Sequence, residues 1–206
     1  MSLVVMIKGK EKTYLFSDNC QYLGGTILIK DAPRQFPIQK LKNFVIGYYG
    51  SSTVFSKLVK TFDFDSFPEP LTKSFLMRHF YMDFLDFLTK ETKCDYKNEA
   101  ITDSDFGIMI LGKNYAFDIG PENLYEVRDM NLYGDDRIAS CIYDNYSKEM
   151  PEEELIRLIM KKSVEYAYKT SYPFLLVTNS DLNHMSVFNM HGTTSTLELK
   201  EMWRKE

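Results

Sequence analysis

The order of the apolar runs constrains this chain more than any single motif. Leu3–Ile7, Phe106–Leu111 and Phe174–Thr178 are near-continuous apolar runs of strand length. A strand with one wet face alternates apolar and polar side chains, whereas a continuous run marks a strand covered on both faces. Helical patterns fall between these strands in two pairs. Burying every continuous run then calls for two sheets stacked face to face, with a helix pair outside each. The expectation is an α+β chain folded as a four-layer αββα sandwich, one domain over residues 1–206.

Local signals fill in that outline. Thr13–Phe16 is a hairpin partner for Leu3–Ile7 across the charged turn Lys8–Lys12. Gln21–Lys30 reads as a strand that Gly24-Gly25 interrupts as a bulge or turn. Asp31–Pro37 is a loop, and Asn43–Tyr49 is a strand ending at Gly50. Ser51-Ser52 caps a helix carrying Val54, Phe55, Leu58 and Val59. Leu71–Thr89 is the longest helical pattern, with Leu76, Phe80, Phe84, Phe87 and Leu88 on one stripe. Met77, Tyr81 and Leu85 widen the stripe, which predicts burial on more than one side, by internal packing or by a partner subunit. His79, inside this pattern, reads as a hydrogen-bonded core histidine. Tyr115–Asp118 and Asn123–Val127 are strands separated by Gly120-Pro121. Asp135–Ser147 is a helix with Ile138, Cys141, Ile142 and Tyr146 on one face. Pro151 followed by Glu152-Glu153-Glu154 starts another, since acids suit the positive end of a helix. Its stripe is Ile156, Ile159, Met160, Val164 and Ala167, and His184–Met190 and Ser195–Leu199 close the chain as strands.

Composition narrows the function classes. The net charge of -4 gives no footprint for nucleic acid. No apolar run approaches the roughly 20 residues of a membrane helix, and no secretion signal opens the chain, so a cytoplasmic location without membrane contact is expected. Cys20, Cys94 and Cys141 are odd in number and widely spaced, which suits reduced thiols better than a disulfide framework, and no Cys-x-x-Cys or His-x-x-x-His pair is present, so neither a metal nor another cofactor is expected. Gly24-Gly25 lacks the Lys-Ser of a phosphate loop. His184 and His191 fall on opposite faces of one strand, Thr193–Thr196 is a polar turn, and Asp135-Asp136 is a helix cap.

A string of segments carries a resemblance. They are the hairpin ending Tyr14-Leu-Phe-Ser-Asp18, the turn Gly47-Tyr-Tyr-Gly50-Ser-Ser, and Phe106-Gly-Ile-Met-Ile-Leu followed by strands and Leu132-Tyr-Gly134. The helix after Pro151 and the strand Phe174-Leu-Leu-Val-Thr178 complete it. In this order, over Ser2–Asn179, the chain resembles the proteasome β-subunit family of N-terminal-nucleophile hydrolases and their bacterial relatives.

The resemblance implies a mechanism. The first residue of the mature chain is the nucleophile, and its own α-amine, with a pKa of about 8, is the base. A carboxylate sixteen residues on and a later cation tune the pair. Here Ser2 would be exposed by removal of Met1, and Asp18 stands at the matching step. The cation position falls at Arg34 or Gln35, with Lys30 three or four residues short, and arginine cannot give up a proton as lysine can. A Gly-Ser-Gly turn in the family is here Tyr133-Gly134-Asp135-Asp136. In the last motif Ser171 keeps its place, while Tyr168 and Tyr172 replace an aspartate and a glycine. The candidate site residues are therefore Ser2, Asp18, Arg34 and Ser171. Three functions stay open: peptide or amide hydrolysis by Ser2, a catalytically degenerate subunit kept for assembly or binding, and cleavage of a small amide by a nucleophile that needs no processing. The resemblance also implies a homo-oligomer, in a ring or another multimer.

Overall fold

The computed structural model describes residues 3–23, 26–29, 37–92, 106–134, 137–167, 170–189, 191 and 194–199, with the side chains of 20–23 and 26–29 outside that description. The strands of the first half are Val4–Lys8 (β1), Thr13–Asp18 (β2), Cys20–Leu23 (β3), Thr26–Ile29 (β4), Ile38–Lys40 (β5) and Val45–Tyr49 (β6). Helices Ser52–Thr61 (α1), Lys73–His79 (α2) and Tyr81–Thr92 (α3) follow, with a 3₁₀ turn at Phe64–Ser66. Then come Gly107–Leu111 (β7), Ala116–Ile119 (β8), Leu124–Glu126 (β9) and Met130–Tyr133 (β10). The chain continues through Arg137–Tyr146 (α4) and Glu152–Tyr166 (α5) to Phe174–Thr178 (β11), Asp181–Phe188 (β12) and Thr194–Glu198 (β13).

One sheet runs β10-β1-β2-β11-β12-β13 and the other β5-β6-β7-β8-β9, antiparallel throughout. Alternation of side chains across each strand produces three apolar layers. Val4, Met6, Leu15 and Leu175 meet Ile38, Val45, Met109 and Leu111 between the sheets. Leu3, Val5, Phe16 and Phe174 face α4 and α5 through Ile142, Ile156 and Ile159. Ile46, Ile108, Ile110 and Phe117 face α1–α3. The expected αββα sandwich is the observed architecture.

Several local expectations are corrected. Leu71–Thr89 is two helices, not one. At Phe80 the backbone leaves helical values (φ -133°, ψ -45°), although its amide still reaches the Leu76 carbonyl at 3.1 Å. The break seats the Phe80 ring among Phe62, Phe64, Phe67 and Phe84. Burying a phenylalanine contributes about 1.5–3 kcal/mol, more than one regular helical residue does. His79 is exposed at the end of α2, not in the core, and Met77 is exposed as well. On α4 the buried residues are Ala139 and Ile142, while Cys141 and Tyr146 are exposed. The segment around Gly24-Gly25 is a separate hairpin, β3–β4, with the two glycines themselves outside the described residues. Strands β5 and β10 lack a sequence signal because they are short, and β10 is only half-buried. Among the described residues no helix is long and apolar enough to cross a membrane, and no group of three metal-ligating side chains forms.

Candidate functional site

The registers gather one end of the sandwich. Val4 pairs with both Ser17 and Tyr133, and Asp18 pairs with Phe174. The start of β1, the end of β2, the end of β10 and the start of β11 therefore lie at the same end of the sheet. Asp18 is fully buried there. Its Oδ1 accepts from the Leu3 amide at 2.8 Å, and its own amide donates to the Leu3 carbonyl at 3.1 Å. The Asn19 amide donates to the Pro173 carbonyl at 2.8 Å, which ties the start of β11 to the end of β2. Ser171 lies in this connection, half-buried, its Oγ donating to the Tyr172 carbonyl at 3.3 Å. Asp18 and Ser171 thus come to one end of the fold, whereas Ser2, Arg34 and Lys30 lie outside the described residues.

A second polar cluster, between the sheets at this end, escaped the sequence reading. Asp118, on β8, is fully buried and faces β10. Its Oδ2 accepts from Asn131 Nδ2 at 2.7 Å and from the Tyr133 hydroxyl at 2.8 Å. The Tyr125 hydroxyl and the Ile119 amide also approach the carboxyl. Burial pushes the Asp118 carboxyl up to about 6, against the hydrogen bonds from Asn131, Tyr133 and Tyr125 and the Ile119 amide, which favour the charged form. Tyr133 stacks on Tyr49 of the other sheet with ring centroids 3.5 Å apart and planes 11° apart. Burial raises the pKa of both phenols, and the Asp118 charge adds to the effect. Each of these tyrosines precedes a glycine with positive φ, Gly50 at 93° and Gly134 at 111°, where a side chain would be strained. A groove of about 370 Å³ adjoins the cluster, sharing Tyr125 and Asn131 with it and lined further by Lys73, Arg128 and Asp129. The sequence places Asp118 at the end of the strand pattern Tyr115–Asp118, and its burial is visible only in the fold.

No family model and no curated protein matches the sequence. Solved structures do match. Thiobacillus denitrificans BPH is 17% identical, with a TM-score of 0.66 over 85% of this chain and 96% of that one. The same protein in complex with epoxomicin gives 18% and 0.64. Anbu (ancestral beta-subunit) from Yersinia bercovieri is 13% identical, with a TM-score of 0.63 over 92% of this chain and 88% of that one. Eukaryotic HslV from Trypanosoma brucei is 11% identical, with a TM-score of 0.58 over 85% of this chain and 98% of that one. These similarities show the fold: this chain has the proteasome-like sandwich of N-terminal-nucleophile hydrolases.

Proposed function

We propose that this chain is a divergent proteasome-subunit-like protein that hydrolyses amide or peptide bonds with Ser2 once Met1 is removed. The observation that carries the reading is the 2.8 Å hydrogen bond from the Leu3 amide to the buried Asp18 carboxylate. It ties Leu3, the residue that follows Ser2 in sequence, to that carboxylate. In the proposed reaction the Ser2 Oγ attacks the substrate carbonyl and its proton passes to the Ser2 α-amine. The protonated amine returns that proton to the leaving nitrogen as the C–N bond breaks, leaving an ester on Ser2. Water then attacks the ester and restores the hydroxyl. Asp18 orients the start of β1, Arg34 takes the part of the cation that the resemblance implies, and Ser171 is a further polar group at this end of the fold.

A second reading is favoured by the Tyr49–Tyr133 stack and by Tyr172 and Asp135 at positions where the resemblance expects small residues. In it the chain keeps the fold for assembly into a ring or another multimer, or for binding, without turnover. Met77 and Met82, exposed on α2 and α3 (46% and 51%), are apolar surface that a second copy would cover.

The test is the intact mass of untagged protein together with a fluorogenic peptide panel. A chain beginning at Ser2 that cleaves at least one peptide, with cleavage lost in Ser2→Ala and inhibited by epoxomicin, supports the hydrolase. A chain that retains Met1 and sediments as a multimer without turnover moves the assignment to the second reading.

A further inference from the structure

Asp118 belongs to one sheet, and the Asn131 and Tyr133 side chains that donate to its Oδ2 belong to the other. Asn131 and Tyr133 lie on β10, the outermost strand of the six-stranded sheet, four residues long and half-buried throughout. An edge strand of this kind is the least costly element to detach, because one ladder is broken instead of two. Detaching it would bring water to the buried carboxylate. We propose that Asp118 is a proton-operated latch between the two sheets: with its proton it holds β10 and the Tyr133–Gly134 turn closed, and as the carboxylate it favours release of β10.

The surroundings fix the direction. A carboxylate fully buried between two sheets is costly to ionise, and here that cost outweighs what its hydrogen-bond donors return. The groups facing it are Tyr133 from β10, Tyr125 from β9 and Tyr49 from β6, with Glu122 in the turn after β8 close enough to raise Tyr49 further. Its ladder neighbour on β7 is the uncharged Met109. Lys73, Arg128, Asp129 and Glu126 lie along the outer groove. The folded carboxyl titrates at about 6, above its ordinary 3.8. Closure is therefore favoured most below about pH 4 and is lost as pH rises to about 6. Release would carry Tyr133 off Tyr49 and move Gly134 away from the start of β1. Regulation of hydrolysis by this latch rests on the proposed function, but the latch itself does not.

Native-state hydrogen exchange of Met130–Gly134, corrected for the intrinsic rate at each pH, tests it between pH 4 and 7. The opening constant of the intact protein should rise about 100-fold across that range, as two pKa units require. Asp118→Asn should be flat. Tyr133→Phe, which removes a donor that favours the charge, should extend the rise beyond pH 6. Ser2→Ala should follow the unmodified protein, so the latch can stand or fall apart from the hydrolase. A flat profile in the unmodified protein, or the same rise in Asp118→Asn, overturns the latch.

Discussion

Tyr49 lies over Gly107, its partner across the β6–β7 ladder, so closely that a Cβ at position 107 would overlap the phenol ring. The glycine leaves the space in which Tyr49 turns to stack on Tyr133, and the stack joins the two sheets at the candidate site. Gly107→Ala should cost about 1–3 kcal/mol, the usual range for overpacking a core. Most of that cost should vanish when Tyr49 is also replaced by Ala, because the clash has gone. Urea unfolding of both single variants and the double variant reads the coupling. Additive costs would mean that the ring is not what position 107 accommodates.

Phe80 makes the opposite case, a ring whose burial overrides the local helix. Phe80→Ala empties a site bounded by Phe62, Phe64, Phe67 and Phe84. The loss should be about 3–5 kcal/mol, although alanine favours helix and could let α2 and α3 join. A thermal midpoint unchanged from the parent would show that helix propensity, and not the aromatic cluster, governs this junction.

These two positions mark where sequence stops being informative. The continuous runs that form β1, β7 and β11 revealed the double layer, because only strands covered on both faces can afford them. The helix starts at Ser51 and Pro151 were legible because capping is local chemistry: the Ser51 side chain accepts from the Val54 amide as its position predicts. Phe80 was not legible, since its helical spacing is flawless and the break answers to rings distant in sequence. Nor was the Asp118 cluster, whose donors lie thirteen and fifteen residues away on a strand too short to announce itself. Of the candidate residues, Asp18 accepts from the Leu3 amide and Ser171 lies at the same end of the fold, while Ser2 and Arg34 lie outside the described residues.

Glu152 links the first turn of α5 to the β1–β2 hairpin, accepting from the Lys10 amide at 2.6 Å. It also lies close to Tyr14, whose phenol is pushed up to about 12, mainly by burial and then by the Glu152 charge. Glu152→Gln should bring the Tyr14 pKa down, though not to the ordinary 10.0, since burial remains. The neutral phenol supports the fold fully below about pH 10, and that support fades as pH rises through 12 in the parent and through a lower value in the variant. The Tyr14 Cζ shift, followed by NMR in alkali, reports both titrations, and an unchanged midpoint would remove Glu152 from the account.

Asp18 separates a structural carboxylate from a functional one. Asp18→Ala leaves the buried Leu3 amide without its acceptor and should cost about 1–3 kcal/mol. Asp18→Asn keeps an oxygen that can accept from Leu3 and should cost less, but it removes the negative charge. If the carboxylate only shapes the start of β1, Asp18→Asn should match the parent in every assay that the parent passes. If it tunes an N-terminal nucleophile, Asp18→Asn should retain the parent's unfolding midpoint within about 1 kcal/mol and lose at least about tenfold in kcat/KM, a barrier change of about 1.4 kcal/mol. The comparison of Asn with Ala, in stability and turnover on the same samples, decides between them. Equal turnover in the parent and Asp18→Asn would leave Asp18 as a structural residue and remove it from the proposed site.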